Sequence, residues 1–335
     1  MAEPDRKRGV AVPKPDPERY AEAAALAERA PERATVGRVR TGTAGWTDRT
    51  LVSSGLFYPK ASMSAQARLS HYAGHFNLVE VDATYYSLLP PVTAEHWVEW
   101  TGPGFVFDVK AHPVLTGHPI DLTRLPRDLA ERLPDDKRRM YADRMPPGIA
   151  GELEARFRAL VEPLRSAGRL GCVMLQFPPW FSATRGNARR IEEVAERWSD
   201  VPLSVEFRHR SWMAEDRRER VFALLRRHRL SYVCVDEPDT SIGGVPPIVA
   251  VTRPELSLVR FHGQNAGAWR KGRSVHERFN YLYSPEELRA WVEPVRRLAS
   301  EAESVHAVFN NCVRNYAVVG AQGLAALLAE PPEPD

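Results

Sequence analysis

Short apolar runs punctuate the chain at near-regular intervals, with longer polar–apolar stretches between them. The runs are Val39–Thr43, Leu78–Thr84, Phe105–Lys110, Gly171–Phe177, Leu203–Arg208, Ser231–Asp236, Leu256–His262 and Val305–Asn310. They are rich in β-branched and aromatic residues and have the length of buried strands. The stretches between them carry helical spacing. Leu69, Tyr72, Ala73 and Phe76 stand at i, i+3, i+4 and i+7, as do Leu288, Trp291, Val292 and Val295. The second of these follows Ser284, Pro285 and Glu287, an N-cap, a first-turn proline and a capping-box acid. Pro163 and Pro294 fall inside helical patterns and predict kinks, and Gly168 stands where a helix should stop before the fourth strand.

Alternating strands and helices imply parallel strands joined by right-handed crossovers. Eight such units suit an α/β fold, a (β/α)8 TIM-type barrel, which takes about 250 residues before extensions. The competing open doubly wound sheet usually carries a Gly-x-Gly-x-x-Gly turn after its first strand. Here that turn reads Gly42-Thr43-Ala44-Gly45-Trp46. Outside the barrel domain, residues 37–330, the charged segment 1–36 reads as a mobile or loosely docked extension with one helical stretch at Tyr20–Arg29. Residues 112–150 form a long insertion on the barrel mouth, with two Pro-broken helical pieces, Thr123–Leu133 and Asp135–Met145. It is either a lid or a static elaboration.

Side-chain parity carries the functional argument, because alternate residues of a strand face opposite sides of a sheet. Glu80, Asp82 and Thr84 oppose Val79, Val81 and Ala83; Asp108 and Lys110 oppose Phe105, Phe107 and Val109. Ser204, Glu206 and Arg208 oppose Leu203, Val205 and Phe207, and Arg260 and His262 oppose Val259 and Phe261. The apolar faces must meet the helices, so the polar ones point into the barrel. Buried charge is costly unless paired or solvated, which places these groups near the open end. Gln176, Glu206, Arg208, Asp236, Arg260, His262 and Asn310 all fall at C-terminal strand ends, the face where barrel active sites lie. Each also has a structural reading: Glu206 with Arg208 or Arg260 as a buried ion pair, Lys110 as a counter-ion, His262 as scaffold. Aromatics of the following loops, among them Trp46, Tyr85, Tyr86 and Trp180, either stack on a ligand or pack beneath the loops.

Composition narrows the class. The 335 residues are 43% hydrophobic and 27% charged, with net charge +3, so no strong field draws in a polyanion. Cys172, Cys234 and Cys312 are widely separated and fit neither a disulfide framework nor a zinc spacing. No run reaches the roughly 18 apolar residues of a membrane span, and the N-terminus lacks an apolar signal core, so the expected location is cytoplasmic and no membrane partner is expected.

Several strings together resemble the YecE-like family of bacteria and archaea, domain-of-unknown-function family DUF72. They are Gly42-Thr43-Ala44-Gly45-Trp46, Phe57-Tyr58-Pro59, Val79-Glu80-Val81-Asp82-Ala83-Thr84-Tyr85-Tyr86 and Leu175-Gln176-Phe177-Pro178-Pro179. Val205-Glu206-Phe207-Arg208-His209 with Ser211-Trp212, Arg260-Phe261-His262-Gly263 and Phe309-Asn310-Asn311 complete the set, which spans roughly residues 38–328. The resemblance implies a TIM-type barrel, remotely related to sugar isomerases and to endonucleases sharing that barrel. The chain departs from the family pattern at Thr47-Asp48 and, after Asn311, at Arg314-Asn315-Tyr316-Ala317 and Gly320-Ala321.

Four functions are consistent with these residues. The first is an isomerase or epimerase acting on a sugar, sugar phosphate or related small polar or anionic molecule. Glu80 or Glu206 serves as base, with Lys110 and Arg260 stabilising an enediolate, or Glu80, Glu206, Asp236 and His262 hold a divalent metal. Arg208 completes the catalytic candidates, and Trp46, Thr84, Tyr85, Gln176, Asn310 and Asn311 are the ligand-binding ones. The second is a nucleic-acid binder or phosphodiester-cleaving enzyme using Trp269-Arg270-Lys271-Gly272-Arg273, Arg278, Tyr281 and Tyr283. The third is a Schiff-base lyase using Lys110. The fourth is a barrel that binds a small ligand without catalysis.

Overall fold

The computed structural model describes residues 15–134, 136–238, 244–271 and 275–331, without the side chains of 270–276. Eight parallel strands form one closed sheet: β1 (Val39–Ala44), β2 (Leu78–Val81), β3 (Val106–Lys110), β4 (Leu170–Gln176), β5 (Leu203–Glu206), β6 (Leu230–Asp236), β7 (Ser257–Phe261) and β8 (Val305–Phe309). Each pairs with its sequence neighbours, and β8 returns to β1 in register from Val305 opposite Val39 to Phe309 opposite Thr43. The expected (β/α)8 TIM-type barrel is thus the fold. A two-residue strand, Thr35–Val36, adds an antiparallel edge to β1.

Helix α1 (Pro17–Ala27) precedes the barrel. The surrounding layer comprises α2 (Ala65–His75), α3 (Pro91–Glu99), α4 (Ile149–Ser166), α5 (Arg185–Arg197), α6 (Arg218–Arg227), α7 (Pro285–Arg289), α8 (Val292–Glu301) and α9 (Tyr316–Ala329). The connection from β6 to β7 contains no helix among the described residues. Leu69, Tyr72 and Ala73 of α2 are buried against the barrel, as their spacing predicts. The Ser284–Glu287 capping box forms, but the single helix expected beyond it is two, separated around Ala290–Trp291. Pro294 has no N–H to offer the Ala290 carbonyl, which accounts for the break. Pro163 remains inside an unbroken α4, and Gly168 closes that segment at φ +66°.

Two expectations are corrected. Residues 17–27 are not a mobile tail. Asp16 caps α1, and Ala23, Leu26 and Ala27 are buried against α9 and α7. Arg19 reaches the Leu282 carbonyl at 2.6 Å and Glu287 at 2.9 Å. In the insertion, the helical piece expected at Asp135–Met145 does not form among its described residues, 136–145. That stretch supplies Arg139–Met140 to a small antiparallel pair with Ile120–Asp121, then a 3-10 turn. The helix expected at Thr123–Leu133 is one turn, Arg127–Ala130, bounded by Pro126 and followed by Pro134. Ile120, Leu122, Leu129, Leu133, Met140 and Met145 join Ile149 and Leu153 of α4 in a small core. This packing describes a static elaboration rather than an unanchored lid.

Candidate active site

Register decides which polar side chains share the barrel interior. Residues opposite one another in a parallel ladder face the same side of the sheet. Gln176 is opposite Glu206, and Glu80 is opposite Asp108. Arg260 is opposite Val235 and Val308, so it faces inward with Glu206, and His262 follows it at the same parity.

Arg260 is the hub. It is fully buried and its guanidinium holds two carboxylates, with Nη1 on Glu206 and Nη2 2.7 Å from Glu80 Oε1. Glu206 collects further donors on its other oxygen, Gln176 at 2.6 Å and Arg208 at 3.2 Å, and His262 Nε2 stands 3.3 Å from that oxygen without a hydrogen bond. Asn310 lies 3.1 Å from the opposite ring nitrogen of His262. Arg208 also pairs with Glu237 at 2.7 Å and lies 4.7 Å over the Trp269 ring.

The two carboxylates on Arg260 are driven apart electrically. Burial alone would raise the Glu206 carboxyl, but Arg260, His262 and Arg208 outweigh it and hold it well below the usual range. Glu80 has less cationic company, with Asp82 and Glu206 nearby, and burial pushes it up to about 7. Burial lowers His262 to about 3 against the pull of Glu206, leaving a neutral ring. Burial also raises Glu237, opposed by Arg208 and the Val245 amide. Several buried polar atoms here have no partner: Glu80 Oε2, Arg260 Nε, Trp269 Nε1 and Asn311 Oδ1.

A second group stands beside the hub at the ends of β2 and β3. Lys110 pairs with Asp82 at 3.0 Å and lies 4.8 Å from the centre of the Tyr85 ring. The amine is thereby engaged in an ion pair rather than left open for carbonyl attack. Strand β2 ends at Val81, short of the expected Thr84. Ala83–Tyr86 turns helically, and Thr84 Oγ1 bonds the Val81 carbonyl at 2.9 Å and that of Lys110 at 2.6 Å. Thr84 is therefore a buried brace between strands. Trp46 packs edge-on against Trp97 at 5.7 Å, beneath the loops, and its carbonyl accepts from Tyr58. Asn311 is buried and donates to the Tyr281 carbonyl at 2.8 Å.

Asp236 is not brought into this cluster. It is opposite Phe261, on the helix-facing side, where Tyr283 and Gln264 donate to its carboxylate. Burial raises it against those bonds. The inward residue at this strand end is Glu237, which sequence reasoning missed. Counting parity from Ser231, opposite Ser204, would have found it. The proposed metal set of Glu80, Glu206, Asp236 and His262 is likewise not assembled. Asp236 faces away, and the space between Glu80 and Glu206 holds a guanidinium. Among the described residues no group of three or more His, Cys, Asp and Glu is arranged to take a metal.

The basic, aromatic stretch after β7 has a different disposition from the one its sequence suggests. The side chains of Arg270, Lys271 and Arg273 lie outside the described residues. Tyr283 is buried with its hydroxyl on Asp236 and on the Gly263 amide, and Tyr281 bonds Glu287. Tyr281 is half-buried, with Arg19 5.4 Å over its ring and Tyr283 edge-on to it.

A family model described as "Protein of unknown function DUF72" matches residues 40–335. The chain belongs to the DUF72 family. It is 30% identical over 274 residues to the UPF0759 protein YunF of Bacillus subtilis, covering 81% of this chain and 87% of that protein. A DUF72 structure from Thermotoga maritima superposes with a TM-score of 0.69 at 28% identity, covering 87% of this chain and 99% of that one. One from Enterococcus faecalis gives 0.71 at 24% identity, covering 89% and 100%. The family match begins at residue 40, so α1 precedes it. No helix among the described residues of this DUF72 protein is long and apolar enough to cross a membrane.

Proposed function

We propose that this DUF72 barrel is an enzyme that moves a proton on a small polar molecule, of the sugar or sugar-phosphate type, by acid–base chemistry without a metal. The observation that supports it is the pair of carboxylates on Arg260, one held ionised and the other raised to about 7. Two carboxyl groups with divergent affinities for protons are what a site needs to run acid and base steps together. Glu80 is the exchanging group, since its Oε2 has no protein partner. Glu206 is the fixed anion that orients Arg260, Arg208 and Gln176. With the Asn310 amide donating to Nδ1, the His262 proton resides on Nε2, and the neutral ring can polarise an oxygen. Lys110, at the neighbouring strand end, is tied to Asp82 and adds a hydrogen-bond donor beside the site rather than free positive charge.

The test uses a panel of aldoses, ketoses and their phosphates in D2O, followed by proton NMR. Deuterium should enter at the carbon beside the carbonyl of one panel member. The rate should fall by about 10²–10⁴-fold in Glu80→Gln, with an unchanged circular dichroism spectrum. No exchange with any member, or full exchange in Glu80→Gln, ends this reading.

A further inference from the structure

On the rim above Lys110, four rings form a continuous edge-to-face run. Tyr86 and Tyr85 lie 5.0 Å apart between centroids, Tyr85 and His118 5.2 Å, and His118 and Trp180 5.9 Å. They come from three separate segments: the turn after β2, the insertion, and the loop after β4. Trp180 is 57% exposed and stands T-shaped to His118. A large indole left in water on a functional face, at a position assembled from three segments, is a candidate ligand surface rather than core.

The chemistry beside the rings selects the ligand. Lys110 and Asp82 form one ion pair with no net charge between them, its ammonium mostly buried behind the rings and its carboxylate partly exposed. The Asp82 side chain is 29% exposed, so its carboxylate can be reached. Burial holds His118 down at about 4, which keeps that ring neutral as well. Arg124 lies 5.4 Å over the Tyr86 ring, at the end of the run away from Trp180. Flat aromatic faces match the C–H faces of a sugar ring. A balanced carboxylate–ammonium pair matches its hydroxyls, which both donate and accept. A phosphate would find the ammonium already neutralised by Asp82.

We propose that Trp180, Tyr85 and the Asp82–Lys110 pair form a carbohydrate subsite that holds an uncharged sugar ring at the barrel rim. This deepens the reading above, on which it rests for the direction of the reacting centre. The substrate then carries a neutral saccharide unit on the rim side of the atom addressed by Glu80.

Saturation-transfer NMR on the full chain tests it, with maltotriose and xylotriose as neutral probes, and glucose 6-phosphate and inorganic phosphate as charged ones. Transfer to the ring protons of a neutral trisaccharide is expected. Binding should weaken by about tenfold or more in Trp180→Ala and in Asp82→Asn, and persist in Glu80→Gln. Trp180 is exposed, so its removal leaves the fold intact. No transfer to either trisaccharide overturns the proposal, as does wild-type binding in both rim variants, or binding of the phosphates alone. Trisaccharide binding without deuterium exchange would leave the subsite standing and remove the acid–base reading. Exchange without trisaccharide binding would do the reverse.

Discussion

The barrel interior holds two polar layers, and they are built on opposite principles. The lower one, toward the N-terminal strand ends, centres on Asp108. His306 Nδ1 lies 2.9 and 3.1 Å from its two oxygens, and Cys172 Sγ lies 3.4 Å from one of them and 3.3 Å from Ser204. None of these four residues leaves a buried polar atom unpartnered. The thiol is not a nucleophile in waiting, since burial and Asp108 push Cys172 well above its ordinary value. The upper layer, around Arg260, is crowded with like charges and contains orphaned atoms. A polar core that only fills space closes on itself; one that must meet a ligand retains unmet valences.

The comparison breaks most visibly at Arg260. Replacing it with Met leaves Glu80 and Glu206 buried without their shared cation and should cost about 3–5 kcal/mol. Urea denaturation at pH 7 reads this directly, and a loss below about 1 kcal/mol would mean that water already solvates the layer.

Next comes pH. The folded-state affinity of Glu80 for its proton is raised from 4.5 to about 7, so its stabilising contribution is complete below 4.5. That contribution is lost as pH rises through 7. Glu206 behaves oppositely: its contribution is present above 4.5 and lost as pH falls through its depressed value. Wild-type stability should therefore decline between pH 4.5 and 7 by on the order of 1–3 kcal/mol from Glu80 alone. Glu80→Gln should flatten that slope in melts across the range.

The lower layer should respond to volume instead. A Cβ on Gly171 would stand 2.2 Å from Asp108 Oδ1 and 2.8 Å from both His306 Cε1 and Val106 Cγ1. Gly171→Ala should cost about 1–3 kcal/mol through overpacking, with the Glu80-dependent slope unchanged. The smallest effect is expected for Asp236→Asn. It weakens bonds to Tyr283 and Gln264 on the helix side, costing about 1 kcal/mol. It should leave trisaccharide binding as in the wild type, since Asp236 belongs to neither layer.

Much of the barrel could be seen in the chain because buried parallel strands are dense apolar runs, and all eight fall where such runs occur. Their ends were less legible. The run at Leu78–Thr84 continues past the strand because the turn Ala83–Tyr86 follows it without a polar break, and Thr84 is buried in that turn. Glu206, Arg260 and His262 were visible because they interrupt apolar alternation. Glu237 was not, because Asp236 takes the eye first and only the ladder to β5 and β7 shows which of the two points inward. His306 hid inside an apolar run, and its partnership with Asp108 joins strands distant in sequence. Docking of α1 was hidden by its mild, alanine-rich face, which needs α9 to become a contact.

The seam between β1 and its two neighbours has a consequence for how the chain is made. β1 pairs with β2 over two residues, Thr43 with Val79 and Ala44 with Glu80, but with β8 over five. The first strand of the barrel thus waits for the last before it gains its main partner. Until then it exposes an open β edge on the growing chain. Helix α1 meets its partner α9 only at that same late moment. Synthesis stalled before β8 would release a chain already rich in strands yet unable to close, a natural client for chaperones.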